Sequence, residues 1–168
     1  TSGRKCGADA MIFEDITEIM AQSRKTLAWM GLDLGTKTIG VAVSDRLLSS
    51  ATPLRTVRRT KFSADAQALL DVITNRDIGA IIIGLPRNMD GSEGPRCQST
   101  RAFARNISVL TDLPIGYWDE RLSTVAAERA LLEADTSRKR RAEVIDHVAA
   151  GYILQGALDR ARHIRTVG

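Results

Sequence analysis

The run "IGAIIIGLP", Ile78 to Pro86, constrains this chain most. It is apolar without alternation, and Gly84 and Pro86 bring it to a stop. A strand that hides one face alternates apolar with polar residues, whereas an unbroken run of this length marks a strand buried on both faces. Such a strand needs cover above and below. In a chain of 168 residues, that points to one α/β domain with helices on both faces of a sheet.

The rest of the pattern agrees. Apolar runs at 27–34 and 39–43 flank the turn "GTKT" and predict an antiparallel hairpin, followed by a short strand near 53–57. In "FSADAQALLDVITNRD", Ala66, Leu69, Leu70 and Ile73 recur at helical spacing, with Ser63 as the expected N-cap. Pro95 suits the first turn of a helix reaching about Leu110, and "LPIGYWDE" reads as the last strand. A helix over 125–132, a basic loop "DTSRKRR" and a final helix over 142–162 complete the pass. Upstream, Ile12, Phe13, Ile16, Ile19 and Met20 predict one short amphipathic helix in "IFEDITEIMAQ", docked on the main body. The expected organisation is an N-terminal extension, 1–26, and a single mixed-sheet domain, 27–168, whose hairpin makes the second strand antiparallel.

Bulk properties exclude little but usefully. Hydrophobic content is 43%, ordinary for a globular chain, and no stretch of about 18 apolar residues offers a membrane span. The formal charge of +4 leans towards an anionic partner. Cys6 and Cys97 lack metal-ligand spacing and read as free thiols of a reducing compartment. No secretory signal is evident, so the cytoplasm is expected.

Chemistry concentrates in carboxylates. In "GLDLGTKTIGVAVSD", alternation puts Asp33 on the same strand face as Trp29, Gly31 and Gly35, where missing side chains leave room for a ligand. The same aspartate could instead cap its turn through the Thr36 or Lys37 amide. Asp146 falls on a helical stripe with Ala142, Ala149, Ala150 and Ile153, a core-facing place where an uncompensated charge is costly. A salt bridge to a nearby arginine is the other reading. "WDER" adds Asp119 and Glu120 on opposite strand faces, and the pattern does not choose between them. Carboxylates gathered at strand ends repel unless a cation neutralises them, and oxygen-only ligands suit Mg²⁺ or Mn²⁺. His147 and His163 are too few for a histidine-based zinc site, and His147 reads as a surface or packing residue.

The segments "GLDLGTKTIGVAVSD", "IGLPRNMDGSEGPRCQSTRAFA", "WDERLST" and "IDHVAAGYILQ" together resemble the bacterial YqgF family, also called RuvX. The resemblance runs from about Trp29 to Asp159. It implies an RNase H-like fold and a metal-dependent phosphodiesterase site built from Asp33, Glu120 and Asp146 with Mg²⁺ or Mn²⁺. It implies as substrate the end of pre-16S ribosomal RNA or, alternatively, a Holliday junction. A non-catalytic RNA-binding assembly factor is a third reading. His147 departs from the family, where a small residue is more usual. Asp-x-Gly-Thr is also the phosphate-loop signature of the actin, sugar-kinase and Hsp70 superfamily, but those proteins hold ATP between two such domains, more than 168 residues supply.

A basic surface is expected to meet the nucleic-acid backbone. One cluster is Arg55, Arg58, Arg59 and Lys61, and a second is Arg138, Lys139, Arg140 and Arg141. Lys37, Arg87, Asn88, Arg96 and Arg121 flank the carboxylate segments and join the expected contacts. With aromatics at 4%, base stacking is not expected to dominate. Either a monomer or a homodimer is compatible, and no membrane partner is expected.

Overall fold

The computed structural model describes residues 11–22, 27–122 and 138–167, apart from the side chains of Gln22, 138–146 and 165–167. In chain order the elements are β1 (Ile12–Phe13), α1 (Ile16–Gln22), β2 (Ala28–Leu34), β3 (Thr38–Ser44), β4 (Ala51–Arg58), α2 (Phe62–Asn75), β5 (Ile78–Leu85), α3 (Pro95–Ser108), β6 (Ile115–Asp119), a 3₁₀ turn (Glu120–Leu122) and α4 (Arg138–Val167). The expected helix over 125–132 lies outside the described residues.

The strands form one sheet in the order β1-β6-β5-β2-β3-β4. β5 sits inside it, buried at every position, as its unbroken apolar run requires. It pairs in parallel with both β2 and β6, while β2, β3 and β4 form an antiparallel meander. The Gly35 amide donates to the Thr38 carbonyl at 2.8 Å and closes the first hairpin. The sheet is therefore mixed, with an antiparallel second strand in the hairpin.

Two cores flank the sheet. On one face Met30, Leu32, Leu34, Ile81, Ile83 and Tyr117 pack with residues of α2 and α3. On the other, Trp29, Ala42, Ile82 and Trp118 pack under Ala149, Ala150, Ile153, Leu154, Ala157 and Leu158 of α4. The small residues let this helix come close. A Cβ on Gly31 would meet Leu154 Cβ at 2.7 Å, and one on Gly156 would meet Trp118 Cζ2 at 2.8 Å.

Three local expectations are corrected. Ile12 and Phe13 are not helical: they form β1, which pairs in parallel with β6, and the helix begins only at Ile16. Asp15 explains the break, since its carboxylate accepts from the Thr17 amide at 2.9 Å, as an N-cap does. Ser63 does not cap α2. Lys61 stands at the cap position, and Asp65 accepts from the Thr60 amide instead. The run Arg138–Arg141 is not a loop but the opening of α4. Arginine and lysine are good helix formers, and no Gly or Pro separates them from the apolar stripe.

Candidate active site

Asp33 is the second-to-last residue of β2 and only 2% exposed. Its neighbours Trp29 and Gly31 face α4, and Asp33 follows them by alternation. Leu32 pairs with Ile83 on β5, so the same register carried one residue further sets Asp33 beside Gly84. Gly84 in turn lies against Glu120. A Cβ on Gly84 would stand 2.8 Å from Glu120 Oε1 and 2.5 Å from Ile153 Cδ1 of α4. The Glu120 carboxylate thus folds back over β5 on the α4 side and shares that side with Asp33. A glycine in a strand buried on both faces usually marks a close approach of other atoms, and here the approaching atom is a carboxylate oxygen.

Asp119 and Glu120 lie on opposite sides of the sheet. Tyr117 faces the α2/α3 core, and Asp119, two residues on, follows it to that side. There Asp119 accepts a hydrogen bond from Arg121 Nη2 at 2.7 Å and lies 4.0 Å from Arg87 Nη1. The Arg121 side-chain bond, against the opposing effect of burial, holds the Asp119 carboxyl below its usual range. Asp119 is an anchor for the loop after β5, and Glu120 is the strand-end acid of the Asp33 face.

Asp146 lies in α4, and its side chain is outside the described residues. Contacts made by the next turns of α4 fix the position of the helix. His147 Nδ1 shares a 2.9 Å hydrogen bond with Thr56 Oγ1, Gly151 meets Pro53, and Gln155 Oε1 accepts from the Ala51 amide at 2.8 Å. The helix therefore runs back along β4, with its first described side chain at the Asp33 end of the sheet. Thr56 pairs with Gly40 and Gly40 with Asp33, so the three form one row across β4, β3 and β2. His147, read from sequence as a surface or packing residue, is partly buried and pins this row. Thr38, Thr56, Arg58 and His147 line a recess of about 330 Å³ at the row's outer end.

The expected phosphate contacts divide. Lys37 is exposed at the hairpin tip, as are Asn88 and Arg96. Asn88 shapes its own loop, donating from Nδ2 to Ser92 Oγ at 3.0 Å, and Gly91 at φ 89° completes the turn. Arg87 and Arg121 face acids: Arg87 lies 3.4 Å from Glu93, and Arg121 is held by Asp119. Arg101, which sequence reasoning passed over, binds both Glu93 and Glu14 and lies 4.8 Å from the centre of the Tyr117 ring. Arg138, Lys139, Arg140 and Arg141 open α4, with side chains outside the described residues. Cys97 is a free, buried thiol whose burial raises its pKa, so it is a packing residue; Cys6 lies outside the described residues.

Among the described residues no three His, Cys, Asp or Glu side chains gather as a metal cage. The test of fit is the donor chemistry of the two acids that do share the site. Both are carboxylates on one side of the sheet, Asp33 is almost fully buried, and Glu120 lies over a residue without a side chain. Hard oxygen donors of this type suit a divalent cation of the Mg²⁺ class.

Sequence and fold comparisons agree with this frame. The family model described as "RuvX: Holliday junction resolvase" matches residues 27–160. A protein of Ruegeria sp. (strain TM1040) named "Putative pre-16S rRNA nuclease" is 71% identical over 156 residues, covering 93% of this chain and 99% of its own. A protein of the same name from Roseobacter denitrificans is 70% identical over 157 residues, 92% and 96% of the two chains. Among solved structures, Thermus thermophilus RuvC in complex with a Holliday junction substrate superposes with a TM-score of 0.51 over 80% of this chain and 96% of that one. At 12% identity that likeness concerns the fold alone, which is RNase H-like. The chain belongs to the RuvX family, and it is a nuclease, a hydrolase of phosphodiester bonds.

Proposed function

We propose that the protein is a divalent-metal-dependent nuclease that processes the end of pre-16S ribosomal RNA in the cytoplasm, with Asp33, Glu120 and Asp146 as its acidic set. The observation that carries the reading is that Glu120 Oε1 lies 2.8 Å from the Cβ position of Gly84, on the side of the sheet that Asp33 shares. For Asp146 the support is spatial. The Ala150 carbonyl stands 3.1 Å from the Cβ position of Gly31. One helical turn back from Ala150 is about 5.4 Å, and two strand residues on from Gly31 are about 6.6 Å, a match that supports a place for Asp146 in the same acidic set.

A bound Mg²⁺ or Mn²⁺ supplies a Lewis acid that activates water and stabilises the leaving oxygen of the diester. The chain's own part is to hold that charge and orient the strand. Asp33 is held in the sheet, and Glu120 Oε1 lies against Gly84 beside Ile153 of α4, which places both carboxylates before a cation binds. Lys37 and Arg58 stand on the exposed flanks of the same sheet end, where backbone phosphates can meet them. The names of the relatives favour pre-16S rRNA, while the description of the family model favours branched DNA as the second reading.

The deciding experiment incubates the purified protein with Mg²⁺ or Mn²⁺ and a pre-16S rRNA end fragment, a four-way DNA junction or ATP. The expected result is RNA cleavage that needs metal and is lost in Asp146→Asn. Symmetric junction cuts would move the assignment to the second reading and to a dimer. ATP turnover without nucleic-acid cleavage, or binding without chemistry, would overturn it.

A further inference from the structure

A second and larger recess lies on the opposite side of the sheet from α4. It has a volume of about 570 Å³ and opens between the Gly35–Thr36 end of the hairpin turn, the segment joining β4 to α2, and the first turn of α3. Leu34, Phe62 and Pro95 give it an apolar wall, while Thr36, Ser99, Arg59 and Arg96 supply the polar side. A cavity of this size and mixed lining is of the class that accepts a small ligand.

Its charge is what selects the ligand. Arg87, Arg101 and Arg121, on the neighbouring loop and helix, are all held by acids within 4.0 Å. Arg59 and Arg96 form no ion pair with any described residue. Arg59 is nonetheless fixed: its Nη1 donates to the Gly35 carbonyl at 2.6 Å, and its guanidinium lies 5.8 Å from the Phe103 ring centre. The one acid of the lining, Asp65, is 4% exposed and accepts from the Thr60 amide at 3.1 Å. Two cations without an anionic partner among the described residues therefore face a pocket with an apolar wall, one hairpin turn away from Asp33.

We propose that this recess seats one phosphate-bearing nucleotide of the substrate strand, with Arg59 and Arg96 facing its phosphate and Phe62 and Pro95 beside its base. This rests on the nuclease reading above. It adds a measuring point. A strand engaged both at Asp33 and in the recess is cut at a fixed distance from the seated nucleotide, because the rigid Gly35–Thr38 turn lies between them.

The test uses the full chain and separates binding from chemistry. Affinity for a single-stranded RNA oligonucleotide is measured in a Glu120→Gln background, alone and with Arg96→Ala or Ser99→Trp, the latter filling the recess from an exposed helix position. Each added change is expected to weaken binding about tenfold, and Arg96→Ala should lower the slope of log affinity against log salt by about 0.7. Oligonucleotide affinity and salt slope unaltered in both variants would overturn the proposal. So would Arg96-dependent binding of AMP or GMP with unaltered oligonucleotide affinity, which would make the recess a site for free nucleotides. Failure of the wild-type protein to cleave anything would defeat the nuclease reading, and the binding arm would still decide the recess.

Discussion

His147 Nδ1 and Thr56 Oγ1 stand 2.9 Å apart, and their hydrogen bond ties the helix that carries Asp146 to the sheet row that ends at Asp33. Thr56→Val keeps the shape of the side chain and removes the bond. The expected loss of stability is about 0.5–1.5 kcal/mol, seen as a lower urea midpoint. If the bond also sets the helix position, kcat falls more than KM rises, and Thr56→Ser restores both. Equal activity in the valine and serine variants would leave His147 a packing residue only.

Gly84→Ala tests the approach of Glu120 directly. The new methyl would collide with Ile153 Cδ1 and Glu120 Oε1, and β5 is too deeply buried to yield. Overpacking of this kind costs about 1–3 kcal/mol, read by thermal or urea unfolding. Cleavage should fall further than the unfolded fraction explains, because the carboxylate itself is displaced.

Asp33→Asn and Glu120→Gln are each expected to lower metal-dependent cleavage by about a hundredfold or more while leaving the circular-dichroism spectrum unchanged. Asp119→Asn should remain active. Its carboxylate faces the other side of the sheet and serves Arg121, away from the Asp33 face. A dead Asp119→Asn beside an active Glu120→Gln would reverse the assignment.

The network around Glu93 predicts an acid limit. The Arg101 side-chain bond, more than the opposing burial, lowers the Glu93 pKa, and Arg121 does the same for Asp119. Groups lowered in the folded state contribute fully above their unfolded values, near pH 4, and lose that contribution as pH falls through the folded values. Urea stability should thus be level from neutrality to about pH 5 and decline below about pH 4. Glu93→Gln should soften that decline; an unchanged acid limb would show that the Arg101 bond contributes nothing to it.

Replacing Arg138, Lys139, Arg140 and Arg141 together by alanine should weaken RNA binding and flatten its salt dependence. If all four meet phosphates of a single strand, the slope falls by about 3. Alanine preserves the helix they open, so an intact spectrum with an unchanged slope would return the run to a solvated helix end.

The layers were legible in the sequence because they rest on periodicity. A short, isoleucine-rich apolar run stopped by Gly84 and Pro86 fits an interior strand, and the Asp33 face follows from alternation through Trp29 and Gly31. Local competition defeated the reading elsewhere. Ile12 and Phe13 fit a helical stripe equally well, and pairing with β6 made them a strand. Arg138–Arg141 looked like a loop by charge alone, although their helix propensity agrees with α4. The strand pattern left Asp119 and Glu120 open, and only the family resemblance pointed to Glu120. The choice depends on a 3₁₀ turn folding one side chain back across a neighbouring strand, and on Gly84 leaving space there. The Arg59–Gly35 bond and the Thr56–His147 bond likewise join residues 24 and 91 positions apart. Sequence spacing records which face of its own element a side chain occupies; which distant element comes to lie against that face is decided only when the sheet and helices pack.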